Sequence, residues 1–324
     1  MTSCLVPSMV LAINYHYCAP ADGAVWPGMK GVTPPAFERQ LAEVERICVP
    51  FGLDALLSSA CESTIHSFGC LITFDDGMVD IMEHALPILD RYRFPSIIFC
   101  CALPYVEGKV LNVQKSHLLQ GRWGWEGFRK RFMVALADDP EGECRDASPP
   151  DLDRMYRYDD GAIGEFKRLL NVELPLRVAD RILDRMFEQE FGPQREAVKA
   201  LYLNEDDIKR CADRGVGIGL HTYSHCMISR LSKVAQASDL DASLAFFRDR
   251  LGLDVHSISY PYGIQGSWNE DTKQLARERD LRYGFTLGRQ VYRPDRHGDV
   301  MEIPRYDVND VFGSDGALKD EFRS

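Results

Sequence analysis

Asp75 and Asp76 stand side by side in Thr73–Phe74–Asp75–Asp76–Gly77, directly after the apolar Leu71–Ile72. Two adjacent carboxylates repel one another unless positive charge lies near, and a divalent cation removes the conflict. One of them then binds the cation, while the other is kept ionised by it and takes a proton from water. An aspartate ahead of a helix also serves as its N-cap, and the pair alone does not separate the two roles. A second group of residues does. His221 and His225 lie four positions apart in Gly219–Leu220–His221–Thr222–Tyr223–Ser224–His225. If the chain turns helically there, both imidazoles face one side. Two histidines and one carboxylate leave coordination positions open, which is the arrangement of a catalytic rather than a structural metal site. A third segment, Ser259–Tyr260–Pro261–Tyr262–Gly263, forces a tight turn whose backbone N–H groups can bind an oxyanion.

These groups meet only if strands carry them to a common rim. Short apolar runs at 10–15, 71–74, 96–101, 216–220, 256–260, 285–287 and 300–303 read as strands. Amphipathic stretches at 35–48, 79–92 and 204–214, the last with Asn204 as N-cap, read as helices between them. That alternation predicts a parallel α/β fold, and such folds place their chemistry at the carboxyl ends of strands. The interval 107–200 does not fit the repeat. It holds Arg122–Trp123–Gly124–Trp125, an acidic linker near 138–151, and an amphipathic helix with Val178, Ile182, Leu183, Met186 and Phe187 on one face. We read it as a mostly helical insertion, either a structural elaboration or a lid, between catalytic segments 1–106 and 201–324.

Composition narrows the partners. The 324 residues are 45% hydrophobic and 27% charged, ordinary for a globular chain. A formal charge of −11, from 49 acidic and 38 basic side chains, argues against nucleic acid. Membrane insertion is not expected, because no run approaches the roughly 20 apolar residues a spanning helix needs. The apolar run at 1–13 reads as a first strand rather than a signal peptide. Ten cysteines, several of them inside apolar strands and none in a CxxC pair, fit free thiols in a reducing compartment, so the expected location is cytoplasmic. Arg122, Arg129, Lys130 and Arg131 near two tryptophans can meet phosphates of a carrier-linked sugar, or can form a solvated helix face.

Taken together, the TFDDG, HTxxH and YPYG segments, in that order, resemble the polysaccharide deacetylases of the NodB-homology type, carbohydrate esterase family four. Asp80 and Pro87–Ile88–Leu89 after the first motif, and Gly215, Gly217, Gly219 and Leu231–Ser232 around the second, add to the match, which covers about 10–105 and 200–305. The resemblance implies an irregular, incompletely closed (β/α) barrel. It implies that Asp75 is the base, that Asp76, His221 and His225 hold a divalent metal, most plausibly zinc, and that the Tyr262 N–H supports the oxyanion. His16, Pro261 and Tyr262 are then expected at the substrate, an acetamido sugar that is small or carrier-linked. The rivals are a deformylase or other non-peptide amide hydrolase on the same scaffold, and a carbohydrate-binding relative without activity.

Two departures stand out. Many members carry an arginine three residues before the tyrosine, where it holds the catalytic aspartate; here that residue is Ser259. Many also end with an acid histidine in a late strand, where this chain has Ile303–Pro304–Arg305. His16 and His117 are candidates for the missing acid. Arg305, at the end of a late strand, is the candidate to pair with Asp75 in a two-pronged contact that lysine does not copy; the alternative is a surface salt bridge.

Overall fold

The computed structural model describes residues 6–20, 28–29, 31–52, 64–144, 146, 161–294 and 296–322. Residues 1–5 of the N-terminal run and 145 and 147–151 of the acidic linker lie outside them.

The first strand, β1 (Val6–Tyr15), is buried on both faces from Val10 to Tyr15, as parallel strands between helices and an interior must be. The period of two divides its side chains between two cores. Val10 and Ala12 join Leu71, Ile97, Phe99, Tyr283, Phe285 and Ile303 in an inner cluster, the plug of a barrel. Leu11, Ile13 and Tyr15 join Cys70, Ile72, Phe74, Ile98 and Ile258 in the larger cluster that the outer helices cover. The same parity turns Asn14, Thr73, Asp75, Ser259, His221 and Arg305 inward, one layer above the apolar plug. Gly219 falls on this inner face too, where a side chain would collide with Phe99, whose ring lies 2.5 Å from an added Cβ.

Eight further strands follow: β2 (Val49–Pro50), β3 (Thr64–Phe74), β4 (Ser96–Cys100), β5 (Gly217–Leu220), β6 (Ser257–Ser259), β7 (Tyr283–Thr286), β8 (Ile303–Pro304) and β9 (Tyr306–Asp307). All pair in parallel, in the order β8-β7-β6-β5-β4-β3-β1-β9, with β2 beside β3. β8 and β9 are one extended segment interrupted at Arg305, and this segment nearly closes the barrel. Thr286 pairs with Pro304 on one side, and Ile13 and Asn14 pair with Tyr306 and Asp307 on the other. Arg305 therefore sits at the seam.

Helices wrap the outside. Pro34–Glu45, N-capped by Thr33, turns Phe37, Leu41 and Val44 inward, and Glu205–Asp213 starts from a capping box of Asn204 and Asp207. Three readings change. The 79–92 helix carries a π-helical turn over Ile81–Ala85 before Leu86–Tyr92. The 300–303 strand is a 3₁₀ turn, Val300–Glu302, with β8 starting only at Ile303. The His221–His225 segment is a tight turn rather than a helix, with Thr222 and His225 in the left-handed region at φ 59° and 61°.

Between Glu107 and Leu201 the described residues are mostly helical, over Asn112–Ala137, Gly161–Arg168, Leu176–Phe191 and Gln194–Leu201. The first of these is broken at Gly124, with φ 70° and ψ 167°. Phe128, Phe132, Phe166, Val178, Ile182, Leu183 and Met186 form a core of their own. Val110, Leu111, Leu118, Phe187 and Leu201 join the barrel's outer core instead. Arg230 adds a polar tie, donating to the carbonyl oxygens of Asn171 at 2.7 Å and Leu174 at 2.5 Å.

Candidate metal and catalytic site

Asp75 follows the last residue of β3 and is buried, with its N–H donating to the Tyr15 carbonyl. An isolated carboxylate in that position is costly unless paired. Arg305, itself 0% exposed, supplies the pair: Nη1 lies 3.0 Å from Oδ1 and Nη2 2.9 Å from Oδ2. The remaining donors of the guanidinium are also occupied. Nη1 reaches Asn14 Oδ1 and Thr73 Oγ1, Nη2 reaches Ser259 Oγ at 2.7 Å, and Nε reaches the Thr286 carbonyl. Asn14 Nδ2 donates to Asp75 Oδ2 at 3.0 Å. Burial pushes the Asp75 carboxyl up, but the charge and hydrogen bonds of Arg305 hold it well below the usual carboxylate range. Arg305 is thus a buried partner of Asp75 and not a surface ion pair.

Asp76, with φ 73°, turns its carboxylate away from Asp75 and toward the histidines. Its Oδ1 lies 3.5 Å from His221 Nε2 and 3.4 Å from His225 Nε2, and the ligand atoms of all three fall within 4.8 Å of one another. Oδ1 is buried without a hydrogen-bond partner, whereas Oδ2 accepts from Gln114 Nε2 at 2.7 Å. His221 Nδ1 lies 2.8 Å from the Ser259 carbonyl, which can only accept, so Nδ1 carries the proton and Nε2 keeps its lone pair. Burial pushes both imidazoles down to about 4, so they are neutral at pH 7. An orphaned carboxylate oxygen facing two neutral imidazole nitrogens is a donor set that fits a divalent cation, zinc included.

The turn after β6 brings Tyr262 to the same rim, its ring 5.4 Å from that of His225. Tyr262 and Gly263 both adopt left-handed φ, at 66° and 61°, and Gly263 accepts from Leu287 N–H. Pro261 starts this turn. Beside it lies a groove of about 1000 Å³ lined in part by Tyr262, Gln265, Trp268, Gln290, Asp307 and Asn309. His16, one residue past β1, is close enough to act electrostatically on Asp75 and His225. His117 reaches the site from the helix Asn112–Ala137, with Nδ1 3.1 Å from the Tyr17 hydroxyl, and burial pushes it down to about 4. Arg122 is occupied by Glu190, and Arg131 stacks over Trp123.

The sequence reading missed Asn14, Thr73, Gln114, Tyr17 and Tyr202. Strand parity was a usable signal for the first two, since both share the inward face that carries Asp75. No local pattern marks the others.

Residues 184–284 match the family model for polysaccharide deacetylase, a span that carries both histidines and the Pro261–Tyr262 turn. YxkH of Bacillus subtilis (strain 168), whose name places it among the polysaccharide deacetylases, is 29% identical over 85 residues. That match takes in 26% of this chain and 29% of YxkH, so the chain spans under a third of this relative. Among solved structures, the deacetylase PplD of Streptococcus pyogenes, in complex with acetate, superposes with a TM-score of 0.54 at 15% identity, over 94% of this chain and 93% of PplD. IcaB of Ammonifex degensii gives 0.52 at 16% identity over 93% and 92%. The deacetylase domain of BpsB from Bordetella bronchiseptica gives 0.52 at 15% over 93% and 96%. At such identities these structures speak for the fold, an irregular NodB-like (β/α) barrel, while the family model and the motifs speak for descent. Over residues 184–284 the chain is similar to the polysaccharide deacetylase family.

Proposed function

We propose that this chain hydrolyses the N-acetyl group of an amino sugar with the help of a divalent metal, zinc. The observation that carries the proposal is the adjacency of a cation-paired buried carboxylate, Asp75, to the Asp76–His221–His225 cluster. A divalent cation in that cluster supplies Lewis acidity to the acetamide carbonyl and makes water a better nucleophile. The residues supply the rest. Asp75, held in orientation by Arg305 and Asn14, accepts the proton of the attacking water. The Tyr262 N–H donates to the oxygen that gains charge at the tetrahedral stage. The departing amine needs a proton, and His16 and His117 flank the cluster. Burial keeps His117 neutral, which counts against it as the donor.

The groove beside Tyr262 lies at the upper end of small-molecule sites, which run from about 300 to 1,000 Å³. Its Gln, Asn and Asp side chains suit sugar hydroxyls, and its size suits a carrier-linked or oligomeric sugar better than a free monosaccharide. Seven cysteines among the described residues are buried thiols without a disulfide, which supports a reducing compartment such as the cytoplasm. Among the described residues no helix is long and apolar enough to cross a membrane.

Acetate release from a panel of N-acetyl amino sugars, with N-formyl analogues alongside, is the test. We expect acetate with the metal-loaded protein, its loss on chelation and its return with zinc. Formate release alone would move the assignment to a deformylase. No product from any substrate, with metal bound, would support a binding role.

A further inference from the structure

We propose that Gln114, in the inserted helix Asn112–Ala137, is a positioning residue of the metal centre, restricting Asp76 to a single ligand oxygen. The inference rests on the metal-binding reading of Asp76, His221 and His225. Gln114 is 0% exposed, and its Nε2 donates to Asp76 Oδ2 at 2.7 Å. A carboxylate only accepts, so the amide nitrogen must face it. The rest of the amide is fixed as well. Its Oε1 accepts from the Tyr202 hydroxyl at 3.2 Å, its Nε2 also contacts the Tyr17 hydroxyl at 3.2 Å, and Tyr202 accepts in turn from the Leu111 N–H at 3.0 Å.

This network divides the two oxygens of one carboxylate. Oδ2 is committed to Gln114, and Oδ1, buried without a partner, is left for the cation. A carboxylate free to rotate can offer both oxygens, which changes coordination number and takes up a position that water or substrate needs. Tyr17 links the same network to His117 through a 3.1 Å contact with Nδ1, so the inserted helix meets the site at two of its residues one turn apart. Partners of this kind, which hold a ligand rather than the metal, typically contribute 10- to 100-fold in metal affinity.

The test is metal affinity, measured by chelator competition, together with the visible spectrum of the cobalt-substituted protein. Wild type is compared with Gln114→Ala, Gln114→Met, which keeps the side-chain length if the alanine variant unfolds, and Phe132→Ala. Phe132 lies beyond the break at Gly124, in the separate inserted core, so this variant reports loosening of the insertion without touching the segment that carries Gln114. We expect both Gln114 variants to bind metal about 10- to 100-fold more weakly and to show an altered cobalt spectrum. Phe132→Ala should lose thermal stability and keep wild-type affinity and spectrum. Wild-type affinity and spectrum in the Gln114 variants overturn the proposal. A wild-type protein that takes up no metal overturns the reading beneath it, and the two failures are distinct.

Discussion

Three residues before Tyr262, where many family members carry an arginine, Ser259 turns its hydroxyl to the guanidinium of Arg305, 2.7 Å away. The cation beside Asp75 comes from the barrel seam rather than from β6, and the small Ser259 side chain makes room for it. The exchange works because both positions face inward on neighbouring parts of one closed sheet. Every N–H direction of Arg305 is used, and the neighbouring rings of Phe99 and Phe285 lie 5.5 and 5.9 Å from its guanidinium carbon. A lysine at this position has a point charge and cannot reproduce the fork. Arg305→Lys should therefore fold and bind metal while kcat falls by roughly 10-fold or more, a loss of about 1.4 kcal/mol or more in transition-state stabilisation. The sign of the pH effect follows from the cause. Arg305 lowers the Asp75 carboxyl, so a weaker partner lets it rise, and the acidic limb of the pH–rate profile moves to higher pH. A pH–rate profile of the variant that superposes on wild type would show that Arg305 serves the fold only.

At the scale of elements, the site is a set of turns at strand ends, and these were unevenly legible. The strands themselves were readable from apolar runs, and parity alone explains why Asp75 and Arg305 share an interior. The turns were not. The helical reading of His221–His225 used the spacing of four correctly but the wrong backbone, since two left-handed residues bring the rings to 4.8 Å instead. Positive φ at Asp76, Thr222, His225 and Tyr262 has no signature in a sequence without glycine at those places. Such conformations persist only where the surroundings enforce them, and they gather at functional sites. Gly263 is the glycine on which one turn depends: at φ 61°, an added Cβ would lie 2.6 Å from the Leu287 backbone nitrogen. Gly263→Ala should break the Leu287 N–H bond and move the Tyr262 N–H. We expect reduced kcat with metal content unchanged, read by steady-state kinetics and elemental analysis. Unchanged kcat would remove Tyr262 from the oxyanion role.

At the scale of the whole molecule, the question is what the inserted helices do to a barrel that can nearly close without them. A lid read from sequence implies that excision raises KM and leaves metal binding intact. The structure argues for a closer relation. The helix Asn112–Ala137 reaches Asp76 through Gln114, while Val172, in the separate turn Leu169–Glu173, packs with Met227, Tyr262 and Ile264. Neither contact was visible in the sequence, because Gln114 has no neighbour of its own kind and meets Asp76 only through tertiary docking. The two contacts touch Asp76 and Tyr262 separately, and we propose on that ground a wall rather than a flap. Leu111 and Tyr202 lie within one hydrogen bond of each other, so a short linker can rejoin the chain where the helices leave it. Replacing residues 112–198 with such a linker should therefore weaken metal binding as well as raise KM, measured by chelator competition and initial rates on one preparation. A shortened protein that keeps wild-type metal affinity but shows raised KM would restore the lid. One that keeps both would make the insertion a structural addition, despite its contacts with Asp76 and Tyr262.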